Sequence, residues 1–266
     1  MRRKLVVTAA AALVLAAPAA AGYPSTYAVQ SGQGIVDGHI RYTAAKSGVN
    51  TRIAVVKDGE TLRSAEVSGA FGIATLGVHD YGIGLFRDRS AIVVQSMGTK
   101  EPTSFQIVRT ADLSVADTIT LPGAYSFDAL SPDGSVLYVI QHTSSEDLQH
   151  YVVRAYDLPS HALRPGRIAD KTQKSWVMQG WPAARAQTAD GRWVYTLYVN
   201  PGGFPFVHAL DTVNGVAHCV GFSFKGDQGR LSDFRLGIKG NTLLVRQRDL
   251  RVYRAIDRTT WAVRRK

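Results

Sequence analysis

The chain is punctuated at regular intervals. Five extended, apolar-rich runs each end on an aspartate: residues 53–57 on Asp58, 107–111 on Asp112, 151–156 on Asp157, 207–210 on Asp211 and 252–256 on Asp257. Successive aspartates stand 54, 45, 54 and 46 residues apart. A second series keeps step with the first, a short turn ahead of each run: Asp37-Gly38, Asp88-Arg89, Asp133-Gly134, Asp190-Gly191 and Lys239-Gly240. Asp and Gly tolerate the positive φ that tight hairpin turns require, and an Asp carboxylate accepts hydrogen bonds from the backbone just beyond it. These ten positions are therefore read as structural, and none of their aspartates is nominated for catalysis.

The unit between 126 and 163 is the clearest copy. An apolar run (126–130), a turn at Pro132-Asp133-Gly134-Ser135 and a β-branched and aromatic run (136–140) make a hairpin. A polar loop, a third run (151–157), a Leu-Pro-Ser turn and a short fourth run from His161 complete four antiparallel strands. Four strands in a repeat of 45–54 residues is the signature of a propeller blade, since solenoid repeats are shorter or helical. The expected fold is an all-β propeller of four-stranded antiparallel blades, with five blades favoured over six or seven and a sandwich as the competing architecture. Residues 22–266 are expected to form that single domain. Blade one is expected over 29–67, blade two from Tyr81 to Leu121 after a Gly-rich passage (69–80) whose strands are not fixed, and blade four over 185–220. Residues 27–29 are a candidate for pairing against the last blade.

The string Leu130-Ser-Pro-Asp-Gly-Ser-Val-Leu-Tyr-Val139, with Tyr151-Val-Val-Arg-Ala-Tyr-Asp157 and Phe206-Val-His-Ala-Leu-Asp-Thr-Val-Asn214, resembles the blade pattern of bacterial secreted propellers. Those are the YVTN-repeat surface proteins, the lactonase-like propellers and, more distantly, the TolB-type repeats. The resemblance covers most of residues 30–266 and implies the fold. Its motifs build the blade and are shared by enzymes, scaffolds and binding modules alike.

Residues 1–21 read as a secretory signal peptide: Arg2, Arg3 and Lys4, an apolar stretch over 5–15, and Ala19-Ala-Ala21 at the cleavage site. Nothing after residue 22 is apolar for long enough to span a bilayer, and a secreted, monomeric protein is expected. The whole chain carries 31 Lys+Arg against 21 Asp+Glu, a net charge of +10. Arginines crowd the end at 246, 248, 251, 254, 258, 264 and 265. In an exported protein such a surface is read as solvated, with an anionic envelope polymer as the alternative partner and nucleic acid disfavoured. The single cysteine, Cys219, cannot close an internal disulfide. Its neighbour His218 points to the opposite sheet face, which leaves Cys219 without an evident base and favours a packing role.

In a propeller the inter-blade connections and the loops between second and third strands share one face, and the Asp-Gly turns share the other. The loop face, carrying 43–50, 97–104, 141–150, 169–184, 200–205 and 225–232, varies most and is the expected recognition surface. Trp176, Trp181 and Phe204 are its bulky aromatics. Aligning inner strands on the turn glycines makes Asp128 and Arg185 equivalent, with Asp233 and Arg235 flanking Phe234; charges there either pair across the channel or hold a ligand. His142, Glu146 and His150 share a loop, yet the intervening Thr143-Ser-Ser145 favours turns over the helix a metal site would need. No catalytic set, metal site or cofactor motif is assigned. The favoured function is a non-catalytic binding or scaffolding module for a protein, peptide or glycan of the cell envelope, with Trp181, Arg185, Asp128, Asp233, Arg235, Phe204 and His142 as candidate ligand-binding residues. The alternative is a lactonase-like propeller hydrolase or lyase using Asp128, Arg185, His142 and Asp233 around the channel.

Overall fold

The computed structural model describes residues 27–30, 32, 34–76, 84–98, 101–170 and 177–265. Residues 1–21, expected to be a leader, and Tyr81 and Trp176 lie outside the described residues. Strand β1 (Tyr27–Gln30) is followed by blade one: β2 (Gly34–Asp37), β3 (Ile40–Ser47), β4 (Asn50–Lys57) and β5 (Glu60–Val67). Blade two is β6 (Phe71–Leu76), β7 (Ala91–Ser96), β8 (Thr103–Arg109) and β9 (Val115–Leu121). Blade three is β10 (Tyr125–Leu130), β11 (Val136–His142), β12 (His150–Asp157) and β13 (Ala162–Leu163), with β14 (Met178–Gln179) also on β12. Blade four is β15 (Trp181–Gln187), β16 (Trp193–Val199), β17 (Phe206–Asp211) and β18 (Val216–Gly221). Blade five is β19 (Arg235–Lys239), β20 (Thr242–Arg246), β21 (Val252–Asp257) and β22 (Val263–Arg265). Each blade is an antiparallel meander paired in chain order, so the fold is an all-β propeller of five blades.

Alternation of side chains along each strand makes the stack possible, because successive residues serve different junctions. In β11, Val136, Tyr138 and Ile140 enter a cluster shared with blade four, while Leu137 and Val139 enter one shared with blade two. All five are buried. Similar clusters join blades one and two around Ile35, Ile53, Ile92 and Val94, and blades four and five around Tyr195, Leu197, Leu243 and Val245.

The punctuation is built as hydrogen bonds. Asp133 accepts from the Ser131 and Ser135 hydroxyls, at 2.5 and 2.8 Å, while the Ser131 hydroxyl oxygen accepts the Val136 amide at 2.9 Å. Blade four repeats the device with Thr188, Asp190 and the Trp193 amide. Asp157, Asp211 and Asp257 each accept a backbone amide three residues on, from Ser160, Asn214 and Thr260. A second repeated link ties one blade to the next: the Thr51 hydroxyl holds the Gly69 carbonyl and the Phe71 amide, and the Thr103 hydroxyl holds Gly123 and Tyr125 in the same way.

Several boundaries differ from expectation. Blade two begins at β6, inside the Gly-rich passage. That strand pairs with β7 only at Phe71↔Ser96 and Gly72↔Gln95, and the bridge Leu85↔Ile92 continues the pairing along β7. Freed from β7, β6 takes β1 as its other neighbour, Tyr27↔Leu76 through Gln30↔Ile73. Residues 27–29 therefore close onto blade two, not the last blade. Strand β6 also runs close to β3, β10 and β15, and its Leu76 is buried beside Ala129 and Tyr138, so an apolar side chain occupies the centre of the blade array. Strands β3 and β4 extend to Ser47 and from Asn50, which shrinks the expected 43–50 loop to a turn at Gly48 with φ of 62°. Blade four starts at Trp181, because the inner strand has a free edge that tolerates Pro182.

Two turn glycines separate backbone strain from crowding. Gly134 (φ 70°) and Gly191 (φ 75°) both sit in the left-handed region, but a Cβ on Gly134 would stand 2.8 Å from the Phe86 ring, against 3.6 Å from Pro132 for Gly191. Both valine variants are expected to lose about 1–3 kcal/mol from backbone strain. Gly134→Val should lose a further increment of about 1–3 kcal/mol from overpacking. Denaturant titration checks the order; equal losses would mean that Phe86 moves freely.

Candidate functional site

Asp128 is the extra residue of a β-bulge, where the pairing of β10 with β11 shifts between Phe127 and Ala129. Bulges re-aim side chains. Asp128 meets Arg185 of blade four: Arg185 Nη1 donates to Asp128 Oδ1 at 3.0 Å and Nη2 to the Asp128 carbonyl at 2.7 Å. The side chains are 2% and 3% exposed. The two charges therefore pair with each other between blades three and four.

Arg185 is the first member of a polar row across blade four. Arg185 stands opposite Thr196, Thr196 opposite His208, and His208 opposite Cys219. Direct cross-strand neighbours share a sheet face, and this one packs against blade three. His208 is 2% exposed and its Nδ1 lies 3.5 Å from Cys219 Sγ. The Cys219 amide donates to Asp170 Oδ2 at 2.8 Å. Sequence reasoning looked for a partner of Cys219 in adjacent His218 and missed His208, whose signal was only the register of the 206–211 and 216–221 strands. The pair is chemically quiet. Burial pulls His208 down to about 4, with nearby Asp128 opposing, and burial with the charge of Asp170 pushes the Cys219 thiol up to about 12. A thiol held protonated is a poor nucleophile.

His142 ends strand β11 and is no loop residue. Its Nε2 lies 2.8 Å from Ser126 Oγ and its Nδ1 3.1 Å from the Leu148 carbonyl, and burial lowers it to about 4. His150 turns to Asp147 at 2.6 Å. Trp181 is half-buried against the blade three to four cluster, while Phe204 is 70% exposed on its loop.

Two clefts border these residues. The first, about 160 Å³, lies on the Asp-Gly side between blades two, three and four, with Arg87, Asp128, Ser131, Arg185 and Thr188 in its lining. Arg87 reaches across it to donate to the Asp190 carbonyl. The second, about 520 Å³, lies on the loop face of blade five, between the 3₁₀ turn Gln228–Asp233 and the turn at 247–251. Asp233 lines it; Arg235 turns instead to the Asp233 and Phe234 carbonyls, at 3.1 Å each. The nominated residues thus lie apart: Asp128 and Arg185 at the first cleft, Asp233 at the second, His142 bonded to Ser126 and the Leu148 carbonyl in blade three, and Trp181 half-buried against the blade three to four cluster.

No family model matches the chain, and no curated protein matches it. Solved structures do. The chain is 13% identical to dihydro-heme d1 dehydrogenase NirN over 88% of its own length and 46% of that chain, with a TM-score of 0.52. It is 16% identical to a protein of Bacteroides uniformis described as a 6-phosphogluconolactonase, over 88% and 68%, with a TM-score of 0.50. TolB of Acinetobacter baumannii is 12% identical over 89% and 53%, with a TM-score of 0.46. The chain spans about half the length of the first and third of these.

Two measurements follow from the buried groups. Asp128→Ala strands a guanidinium in the interior and should cost about 3–5 kcal/mol, with much of the loss recovered in Asp128→Ala/Arg185→Met; an additive double mutant would show that the two charges do not interact. The histidines set the acid limb. Both sit near 4 when folded against 6.5 when free, so the unfolded chain takes up protons first. The histidines should each remove up to about 1.4 kcal/mol per pH unit between pH 6.5 and 4 and nothing further below, where protonation of the turn aspartates, held below their usual range by hydrogen bonds, continues the loss. Urea melts of His208→Leu should show a shallower slope over that window; an unchanged slope would place the titration elsewhere. In fold, the chain is a five-bladed β-propeller, and it is similar in fold to the solved structures of NirN and the Bacteroides uniformis protein.

Proposed function

We propose that the chain is a secreted β-propeller, with residues 22–266 as one monomeric domain, that acts as a non-catalytic binding or scaffolding module for a protein, peptide or glycan of the cell envelope. The leader at 1–21 supports export, and no helix of the described residues is long and apolar enough to cross a membrane. The observation that carries the binding reading is the loop face itself. It combines a roomy cleft lined by charged side chains with an exposed phenylalanine, Phe204, in a neighbouring loop that Gln228 ties down by hydrogen bonds to Asn200 and Gly203. Exposed aromatics on ordered loops favour interfaces.

The groups a hydrolase or lyase would use favour the same reading. His142 and His208 are held neutral in the interior, Cys219 is held protonated, and Asp128 is engaged by Arg185. A general acid or base works best with its pKa near the operating pH.

Trp181 and Phe204 give opposite expectations. Trp181→Ala should lower the melting temperature by about 5 °C or more, since each kcal/mol is worth roughly 2–4 °C in a domain of this size, and leave retention of envelope material unchanged. Phe204→Ser should leave melting unchanged and lower retention severalfold. Retention that ignores Phe204 and fails with Arg87→Ala would move recognition to the Asp-Gly side.

A further inference from the structure

The arginine-rich end of the chain is sorted by the fold into two groups. Arg254 is stacked on Tyr253 at 3.8 Å and donates to the Ser223 carbonyl, Arg258 donates to the Tyr195 hydroxyl and the Gly240 carbonyl, and Arg246 donates to the Leu250 carbonyl. These are structural. Arg248, with Arg230 from the 3₁₀ turn, faces the blade five cleft, and neither guanidinium has a carboxylate or hydrogen-bond partner among the described residues. Arg251 completes the basic lining but is oriented by Asp249, at 2.6 Å. Asp233 is exposed at the rim and Phe234 is buried in the wall.

We propose that this cleft binds an acidic polysaccharide carrying one carboxylate per sugar. The inference rests on the binding-module reading and names its ligand class. Two free guanidiniums supply planar forks matched to carboxylates. Asp233 and Asp249 reduce the net positive charge of the lining, which suits singly charged groups over phosphate dianions, and their oxygens accept hydrogen bonds from sugar hydroxyls. The volume of about 520 Å³ falls inside the roughly 300–1,000 Å³ of ordinary ligand sites. A lone exposed ion pair contributes little, so Arg251 with Asp249 is better understood as a positioned donor than as a stabilising bridge.

The test uses the full mature chain and calorimetric titration with defined polymers. Polygalacturonate should bind, at least tenfold more tightly than its fully methyl-esterified form and than poly-L-glutamate, and more weakly as salt rises. Arg230→Ala/Arg248→Ala should lose at least tenfold in affinity with an unchanged melting temperature, both residues being exposed. Equal binding of the methyl ester, of poly-L-glutamate or of inorganic polyphosphate overturns the assignment, as does a double variant that binds like the parent. Failure here is separable from failure of the binding-module reading. Cleavage of the polymer, seen as new chain ends, would sink the non-catalytic reading; an envelope partner retained through Phe204 while polygalacturonate stays unbound would sink only the present proposal.

Discussion

Everything in this chain depends on each four-stranded sheet having its faces covered by its neighbours. A single meander of this kind buries too little to be stable, and the second and third strands of the inner blades are apolar on both faces, as Val136 to Ile140 shows. The repeat solves this by sending alternate residues of one strand into two junctions. Threonines at the head of the third strands of blades one and two then fasten the next inner strand by hydrogen bonds to its first residues. Apolar burial supplies the drive, and these bonds set where along the stack the next sheet begins.

The junction between blades three and four departs from that rule in an informative way. It carries an aromatic stack, Tyr151 on Tyr198 at 5.2 Å and Tyr198 on Phe206 at the same distance, and it also carries the row Arg185, Thr196, His208 and Cys219. A buried ion pair seldom adds net stability over apolar side chains of the same size, whereas removing one partner is costly. The pair Asp128 and Arg185 is thus better understood as fixing which two blades meet, and in what register, than as strengthening their contact. His208 and Cys219 share that environment, and the same burial that removes them from acid-base and thiol chemistry makes stability respond to acid.

The architecture was legible because its signals are local. Turn aspartates and glycines report backbone geometry directly, so the five repeats and their hairpins follow from them, and the equivalence of Asp128 with Arg185 follows from counting back from Gly134 and Gly191. What was not legible depends on partners far along the chain. Nothing within residues 69–76 shows that β6 leaves β7 early and accepts β1, because the cause is Gly84 to Phe86 taking its place. His142 looked like a loop residue because its neighbours are polar, yet Ser126 and the Leu148 carbonyl bury it. Trp181 looked like a loop aromatic because it lies at the end of the long 169–184 connection, yet it opens strand β15, an edge strand that accommodates Pro182.

Charge shows the same division between composition and placement. The net charge of the chain says that the surface is basic, and says nothing of where a ligand could find an unspent cation. Arginine reaches carbonyls and ring faces as readily as it reaches solvent; hence Arg254 is buried in blade five and Arg258 is bonded to Tyr195 and the Gly240 carbonyl, while Arg248, six residues before Arg254, stays free. The tight turn at 247–251, with Leu250 at φ 67° and the Gln247 amide bonded to the Arg251 carbonyl, presents Arg248 at its tip and turns Arg251 back onto Asp249. A rigid turn that holds one guanidinium in place and leaves another unpaired beside it has already met part of the ordering cost of binding, and that preorganisation distinguishes this cleft from the rest of a basic surface.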